Sequence, residues 1–193
     1  VLVLGGVRAD TPEPVLKATR DALAAGARGA VYGRNVWQAD DPRRFANVWG
    51  VADEYLFDEA IATLDREAGG PQRVLLHLMT TSNHRPYTYP DGRIDIASKT
   101  GRDGAVKYTD WAIGHFIEQA RTRPWFDDTL FVIVADHCAS VAGRTRLPPD
   151  RYRIPAIFYA PAHLAPRTVG HLASQIDLVP TMLAWLGIDD GGR

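Results

Sequence analysis

Residues 129–140, TLFVIVADHCAS, constrain this chain most. Five consecutive apolar residues, Leu130 to Val134, run through Ala135 into Asp136 and His137. A continuous apolar run bounded by polar residues predicts a strand over 129–135, buried on both faces as in a parallel sheet. Sites in open α/β sheets form beyond the carboxyl ends of the strands, which is where this run presents a carboxylate beside an imidazole. Asp and His together suit a divalent cation such as Mn²⁺, Mg²⁺ or Zn²⁺. The plainer reading is a strand-end Asp that caps the next turn beside a surface His.

At 193 residues the chain can bury one full domain core. A formal net charge of −1 gives no electrostatic case for nucleic acid or an acidic membrane surface. Cys138 is the single cysteine, so neither a disulfide framework nor a cysteine zinc site is expected. Beside His137 it reads as a small buried hydrophobe, with a catalytic thiol as the alternative. No apolar run reaches the roughly 18 residues of a membrane span. The opening VLVLGGVRAD does not read as a signal peptide, and a first residue other than Met suggests a fragment.

The N-terminal stretch predicts a βαβ unit. Strands are expected at 1–4 and 29–32, with a helix over 15–25 that stops at Gly26. Gly5, Gly6 and Gly33 close the strands, and Arg34 follows; backbone amides there could hold a phosphate with Arg34 as a clamp, or simply form turns. VLVLGGVRAD and DALAAGARGAVYGRNVWQADDP resemble the end of the Schiff-base (class I) fructose-bisphosphate aldolase family, a TIM barrel with its phosphate site in these two strand-end loops. That resemblance, over 1–42, implies a phosphate site at Gly5, Gly6, Gly33 and Arg34. Lys17 falls on the helix and cannot serve as the Schiff-base lysine, so a lyase is the minor functional alternative.

From 45 onward the pattern changes. Asp53 reads as an N-cap, with Leu56, Phe57, Ala60, Ile61 and Leu64 as the apolar stripe and Gly69-Gly70-Pro71 as the stop. VLLHLM over 74–79 predicts a buried strand with His77 as a core histidine. The polar loop 80–104 is long enough to be functional, and His84 and Arg85 enter it at the sheet edge, unless His84 is an incidental solvated residue. A helix is expected over 106–120 (Val106, Ile113, Phe116, Ile117, Ala120), a polar stretch over 140–153, a strand over 154–160 and a capped amphipathic helix over 174–187. Strand–helix alternation makes the fold class α/β, a mostly parallel sheet with flanking helices.

NVWGVADEYLFDEA, HLMTTSNHRPYTYPDGRID, GAVKYTDWAIGHF, PWFDDTLFVIVADHCAS and SQIDLVPTML resemble, in order, the C-terminal part of the lipoteichoic acid synthase/phosphoglycerol transferase catalytic domain. That family is the sulfatase-like branch of the alkaline phosphatase superfamily. The resemblance implies a partial fold of that kind over 45–193, preceded by the aldolase-like 1–42. It implies Asp136 and His137 as ligands of a divalent metal, Mn²⁺ first and Mg²⁺, Ca²⁺ or Zn²⁺ as alternatives. His84 in Asn-His-x-Pro, with Arg85, would bind a phospholipid-derived phosphoglycerol or another phosphate or sulfate ester. The family's Glu ligand and Thr nucleophile lie upstream of the matched motifs, and Thr80 and Thr81 do not occupy the nucleophile's motif. The expected function is therefore a metal-dependent phosphoglycerol transferase or ester hydrolase lacking its nucleophile, with a non-catalytic remnant as the alternative. The family is membrane-anchored with an extracytoplasmic catalytic domain. Unpaired edges of the apolar strands would favour self-association.

Overall fold

The computed structural model describes residues 50–138 and 152–188, together with the backbone of 2–4 and 29–31. The chain divides into two compact units, Val1–Ala160 and Pro161–Arg193. In the first, β1 (Leu2–Leu4) pairs in parallel with β2 (Gly29–Val31), Leu2 opposite Gly29. Both strands stand where the sequence predicts them. The helix expected over 15–25 and the phosphate residues Gly5, Gly6, Gly33 and Arg34 lie outside the described residues.

Helix α1 (Asp53–Glu67) buries Leu56, Phe57, Ala60 and Ile61, four of the five stripe residues, and ends before Gly69. Its N-cap is Ala52, which makes no side-chain cap. Asp53 is instead the first helical residue and is buried, a correction with consequences for the site below.

Helix α2 (Arg102–Ala120) begins four residues earlier than the apolar spacing predicts. It buries Tyr108, Ala112, Phe116 and Ala120, one residue per turn along a single face, while Val106 points out and is about half exposed. The two helices pack through Phe57 and Phe116, whose rings stack with centroids 4.9 Å apart. Phe116 also meets Phe131 edge-on at 5.9 Å. Trp125, Phe126 and Phe131 complete this cluster, with Trp125 Nε1–H donating to Asp65 Oδ1 at 2.8 Å.

Strand β3 (Phe131–Val134) lies inside the predicted run, but its surroundings differ from expectation. It pairs antiparallel with β4 (Ala156–Tyr159), Phe131 opposite Tyr159, and of its four residues Phe131 alone is buried. A parallel return needs a crossover, usually helical, and the polar, proline-bearing stretch 140–153 carries no helical apolar spacing. The sheet expected to be mostly parallel is thus, among the described residues, one parallel and one antiparallel pair.

Residues 74–79 form no strand with any described neighbour. Leu76 and Leu78 still turn inward onto the Phe57–Phe116 cluster while Leu75 and Met79 are exposed, the period-two signature of extended chain; Val74, in step with Leu76, is exposed as well and ends the pattern. His77 is exposed with them, so it is not a core histidine.

In the second unit, a 3₁₀ turn (Gln175–Asp177) leads into α3 (Leu178–Trp185). Ser174 and Asp177 form a reciprocal capping box, the Ser174 N–H reaching Asp177 Oδ2 at 2.8 Å. Gly187 follows with φ +62°, the left-handed stop the sequence predicts. No residue of α3 is buried, so its apolar stripe is not a core face among the described residues.

Candidate functional site

The loop between 80 and 101 has no regular secondary structure, and three anchors hold it to the α1–α2 pair. The first is Asp53. Its Oδ1 accepts the Thr81 and Ser82 backbone N–H groups, both at 3.0 Å, and its Oδ2 accepts the Thr109 hydroxyl of α2 at 2.8 Å. In return the Asp53 N–H donates to Ser82 Oγ at 3.2 Å. Asp53 and Ser82 are both fully buried. Backbone N–H donors suit an enclosed carboxylate because they satisfy its lone pairs where water cannot.

The second anchor is Glu54, next in sequence. Arg93 Nε approaches its carboxylate at 2.9 and 3.2 Å, and the Tyr108 hydroxyl donates to Oε1 at 3.2 Å. Arg93 also lies over the Trp111 ring, 5.8 Å from its centroid. Burial, with the adjacent carboxylates of Glu54 and Asp53, pushes the Tyr108 phenol far above its usual value, so it stays a neutral donor. The third anchor is Tyr89, almost wholly buried and stacked on Tyr108 at 4.9 Å. Its hydroxyl donates to the Ile96 and Ala97 carbonyls, and its N–H to Ser98 Oγ. The Lys99 N–H closes this lobe on the Tyr87 carbonyl at 3.0 Å.

Between the first and third anchors the chain makes two successive turns. The His84 N–H donates to the Thr81 carbonyl at 3.0 Å, and the Tyr87 N–H to the His84 carbonyl at 2.7 Å. His84 and Arg85 are both exposed on these turns, and the Arg85–Pro86 peptide is cis. Tyr87 sits at φ +62°, a left-handed conformation that costs a bulky residue about 1–3 kcal/mol. Its hydroxyl receives Arg85 Nε at 3.4 Å and Arg102 at 3.3 Å; the two guanidiniums, Arg85 first, hold the phenol below its usual range.

Asp136 and His137 follow β3 directly, and both are well exposed. The His137 N–H donates to Asp136 Oδ1 at 2.8 Å, and His137 Nδ1 contacts the carbonyl of half-buried Cys138 at 2.8 Å. That carbonyl can only accept, so the tautomer with Nδ1–H is the one that fits. Nε2 then faces Asp136 Oδ2 at 3.4 Å. The pair either shares a proton as an ion pair or presents two lone pairs side by side. Donors about 2.1 Å from one tetrahedral metal are spaced about 3.4 Å, so the separation is compatible with a shared cation as well as with an ordinary Asp–His ion pair. Among the described residues, no group of three or more His, Cys, Asp or Glu could hold a metal ion.

An open groove of about 390 Å³ between α2 and the β3–β4 sheet, lined by Ile117, Glu118, Arg121, Ile133, Ile157 and Tyr159, includes none of these residues. No helix among the described residues is long and apolar enough to cross a membrane. Asp53, Glu54, Tyr89 and Tyr108 are the contributors that sequence reading missed. Asp53 and Glu54 look like ordinary acidic residues of a helix's first turn, and their loop partners lie about 28 and 39 residues away.

The Sulfatase family signature matches residues 23–188, so the chain belongs to the Sulfatase family. Proteins of this family typically use a metal. Its fold is that of the alkaline phosphatase superfamily: a superfamily member from Vibrio parahaemolyticus superposes on 97% of this chain with TM-score 0.75 and 32% identity. The lipoteichoic acid synthase LtaP of Listeria monocytogenes superposes on all of it with TM-score 0.70 at 21% identity. This chain covers 44% and 51% of those two proteins. In sequence, phosphoglycerol transferase I of Salmonella arizonae is 31% identical over 105 residues, 49% of this chain and 13% of that protein. A further match, 48% identical over 46 residues, is to an uncharacterized aldolase of Saccharolobus solfataricus, covering 24% of this chain and 17% of that protein. The chain thus spans a minor part of the curated relatives it matches.

Proposed function

We propose that this chain carries the metal-ligand pair and the ester-binding turn of a phosphoglycerol-transferase-like site, in which Asp136 and His137 hold a divalent cation, Mn²⁺ first, and His84 and Arg85 hold the phosphate of a phosphoglycerol or a related phosphate or sulfate ester. The observation that carries this reading is the 3.4 Å approach of His137 Nε2 to Asp136 Oδ2, with Nδ1 committed to the Cys138 carbonyl. A bound cation would neutralise phosphoryl oxygens as charge develops on them. With Nδ1 turned to the Arg85 carbonyl at 3.3 Å, the exposed His84 ring meets an ester oxygen through Nε2–H in its imidazolium form, and the Arg85 guanidinium adds charge and planar donors. Thr81 is not the nucleophile: it is half-buried and its hydroxyl donates to the Val51 carbonyl at 3.2 Å. In this reading His84, Arg85 and the Asp136–His137 pair bind the ester, and none of them is its nucleophile. The aldolase-like stretch 1–42 is proposed as a separate segment from 45–193, with a phosphate contact at Gly5, Gly6, Gly33 and Arg34.

Calorimetry with Mn²⁺ tests the assignment. Saturable binding is expected for the purified chain, weaker than at a site with a full ligand set, and lost in Asp136→Ala/His137→Ala. A folded chain that binds no Mn²⁺, or a double variant that binds it undiminished, overturns the assignment.

Self-association is expected through the stretch that exposes Leu75 and Met79 on one face, because extended apolar chain invites pairing. Leu75→Lys, at a position 62% exposed, should raise the monomer fraction in light scattering without lowering stability. Unchanged association would place the contact elsewhere.

A further inference from the structure

The structure assigns Asp53 a positioning role: its buried carboxylate fixes the turn that displays His84 and thereby sets the affinity for the phosphate ester. This deepens the reading above and rests on it for the identity of the bound group. The turn begins at Thr81, whose carbonyl accepts the His84 N–H, and the next turn begins at His84, whose carbonyl accepts the Tyr87 N–H. Besides these two bonds, the entry to this double turn is held by the Thr81 and Ser82 amides, both donating to one oxygen of Asp53, and by the Thr81 hydroxyl on the Val51 carbonyl. Two adjacent N–H groups on one carboxylate oxygen fix the orientation of the peptide plane between them. The direction in which residue 84 leaves the helix pair follows from that plane.

The clamp is rigid at its other end too. Asp53 is the first residue of α1, and its second oxygen is tied to Thr109 on α2, so the turn is referenced to both helices at once. The Ser82 hydroxyl closes a reciprocal bond to the Asp53 N–H, occupying a helix N-terminal donor that Ala52 cannot cap. His84 is exposed, with its ring Nδ1 at 3.3 Å from the Arg85 carbonyl, and the buried Asp53 network orders the backbone that carries it before the ester arrives.

The chemistry distinguishes a positioning role from mere acidity. In Asp53→Asn the amide oxygen can still accept both backbone N–H groups, and the amide NH₂ can donate to a rotated Thr109 hydroxyl. In Asp53→Ala, two amides and a hydroxyl lose their acceptor. Asparagine should therefore preserve the turn that alanine releases.

The test uses the full chain, hydrogen exchange resolved at single amides, and calorimetric titration with sn-glycerol 1-phosphate. In Asp53→Ala, exchange at the His84 and Tyr87 amides should accelerate at least tenfold while the α2 core amides keep their protection. Ester affinity should fall as far as it does in His84→Ala, and Asp53→Asn should restore both properties. Unchanged exchange at His84 and Tyr87 overturns the proposal, as does faster exchange with undiminished affinity where His84→Ala itself weakens binding. Faster exchange with affinity unaffected even by His84→Ala overturns the ester-binding reading and leaves Asp53 holding a turn of another purpose. Should Asp53→Ala lose protection throughout α1 and α2, Thr109→Val, which removes one bond to the same carboxylate, takes its place with the same readouts.

Discussion

Phe116→Ala is expected to lower the stability of the first unit by about 3–5 kcal/mol, the range for removing a buried aromatic side chain from a packed core. Phe116 is the ring on which three elements meet. It stacks on Phe57 of α1 at 4.9 Å, belongs to α2, and receives Phe131 of β3 edge-on at 5.9 Å. Neither helix can close on the space it leaves, because each is also held near the N-terminal end of the pair by the Asp53–Thr109 and Glu54–Tyr108 bonds. Part of the cost is therefore an open cavity in addition to lost apolar burial. Urea denaturation should show a lower midpoint with little change in slope. A loss below about 1 kcal/mol would mean that the cluster collapses freely and does not anchor β3. Since β3 leads to Asp136 and His137, the same variant should weaken the Mn²⁺ binding proposed for that pair without altering either residue.

Gly104→Ala is expected to destabilise by about 1–3 kcal/mol, with a sign opposite to the one helix propensity predicts. Glycine inside a helix normally costs about 1 kcal/mol relative to alanine, so the substitution would ordinarily help. Here a Cβ would collide with the Tyr89 hydroxyl and stand 2.8 Å from Ile96 Cγ2. Tyr89 cannot yield, because it is stacked on Tyr108 and its hydroxyl is spent on the Ile96 and Ala97 carbonyls. The loop must lift from α2, and the Lys99 amide, which closes the lobe on Tyr87, should lose exchange protection. Tyr89→Phe in the Gly104→Ala background should recover part of the loss, which a double-mutant cycle measures directly. A more stable Gly104→Ala protein would show that the loop does not rest on the helix.

Much of the fold is legible along the chain because its signals are local. The α1 stripe, the α3 capping box, Gly187 and the apolar run of β3 are patterns within a few residues, set by helical and strand periodicity and by backbone sterics. Strand direction is a different matter. The apolar run of β3 looks the same beside a parallel or an antiparallel neighbour, and its pairing with β4 depends on how the chain returns between them. The stretch 74–79 shows the same limit: its composition is that of a strand, but a strand exists only when a neighbour completes its ladder.

The candidate site divides along the same line. Asp136, His137, His84 and Arg85 stand out by residue type, by neighbours in sequence and by the resemblance their motifs carry. These are properties of the chain itself, and the sequence alone determined them together with family membership and the presence of the three described helices. Tertiary structure alone decided that Asp53 is a buried acceptor for Thr81 and Ser82 rather than a helix cap, that Glu54 reaches Arg93, and that Gly104 exists for the sake of Tyr89. The physical reason is common to all three. A hydrogen bond or a van der Waals contact between residues tens of positions apart has no periodicity to betray it, and comes into being only when two helices and a loop close around the same small volume.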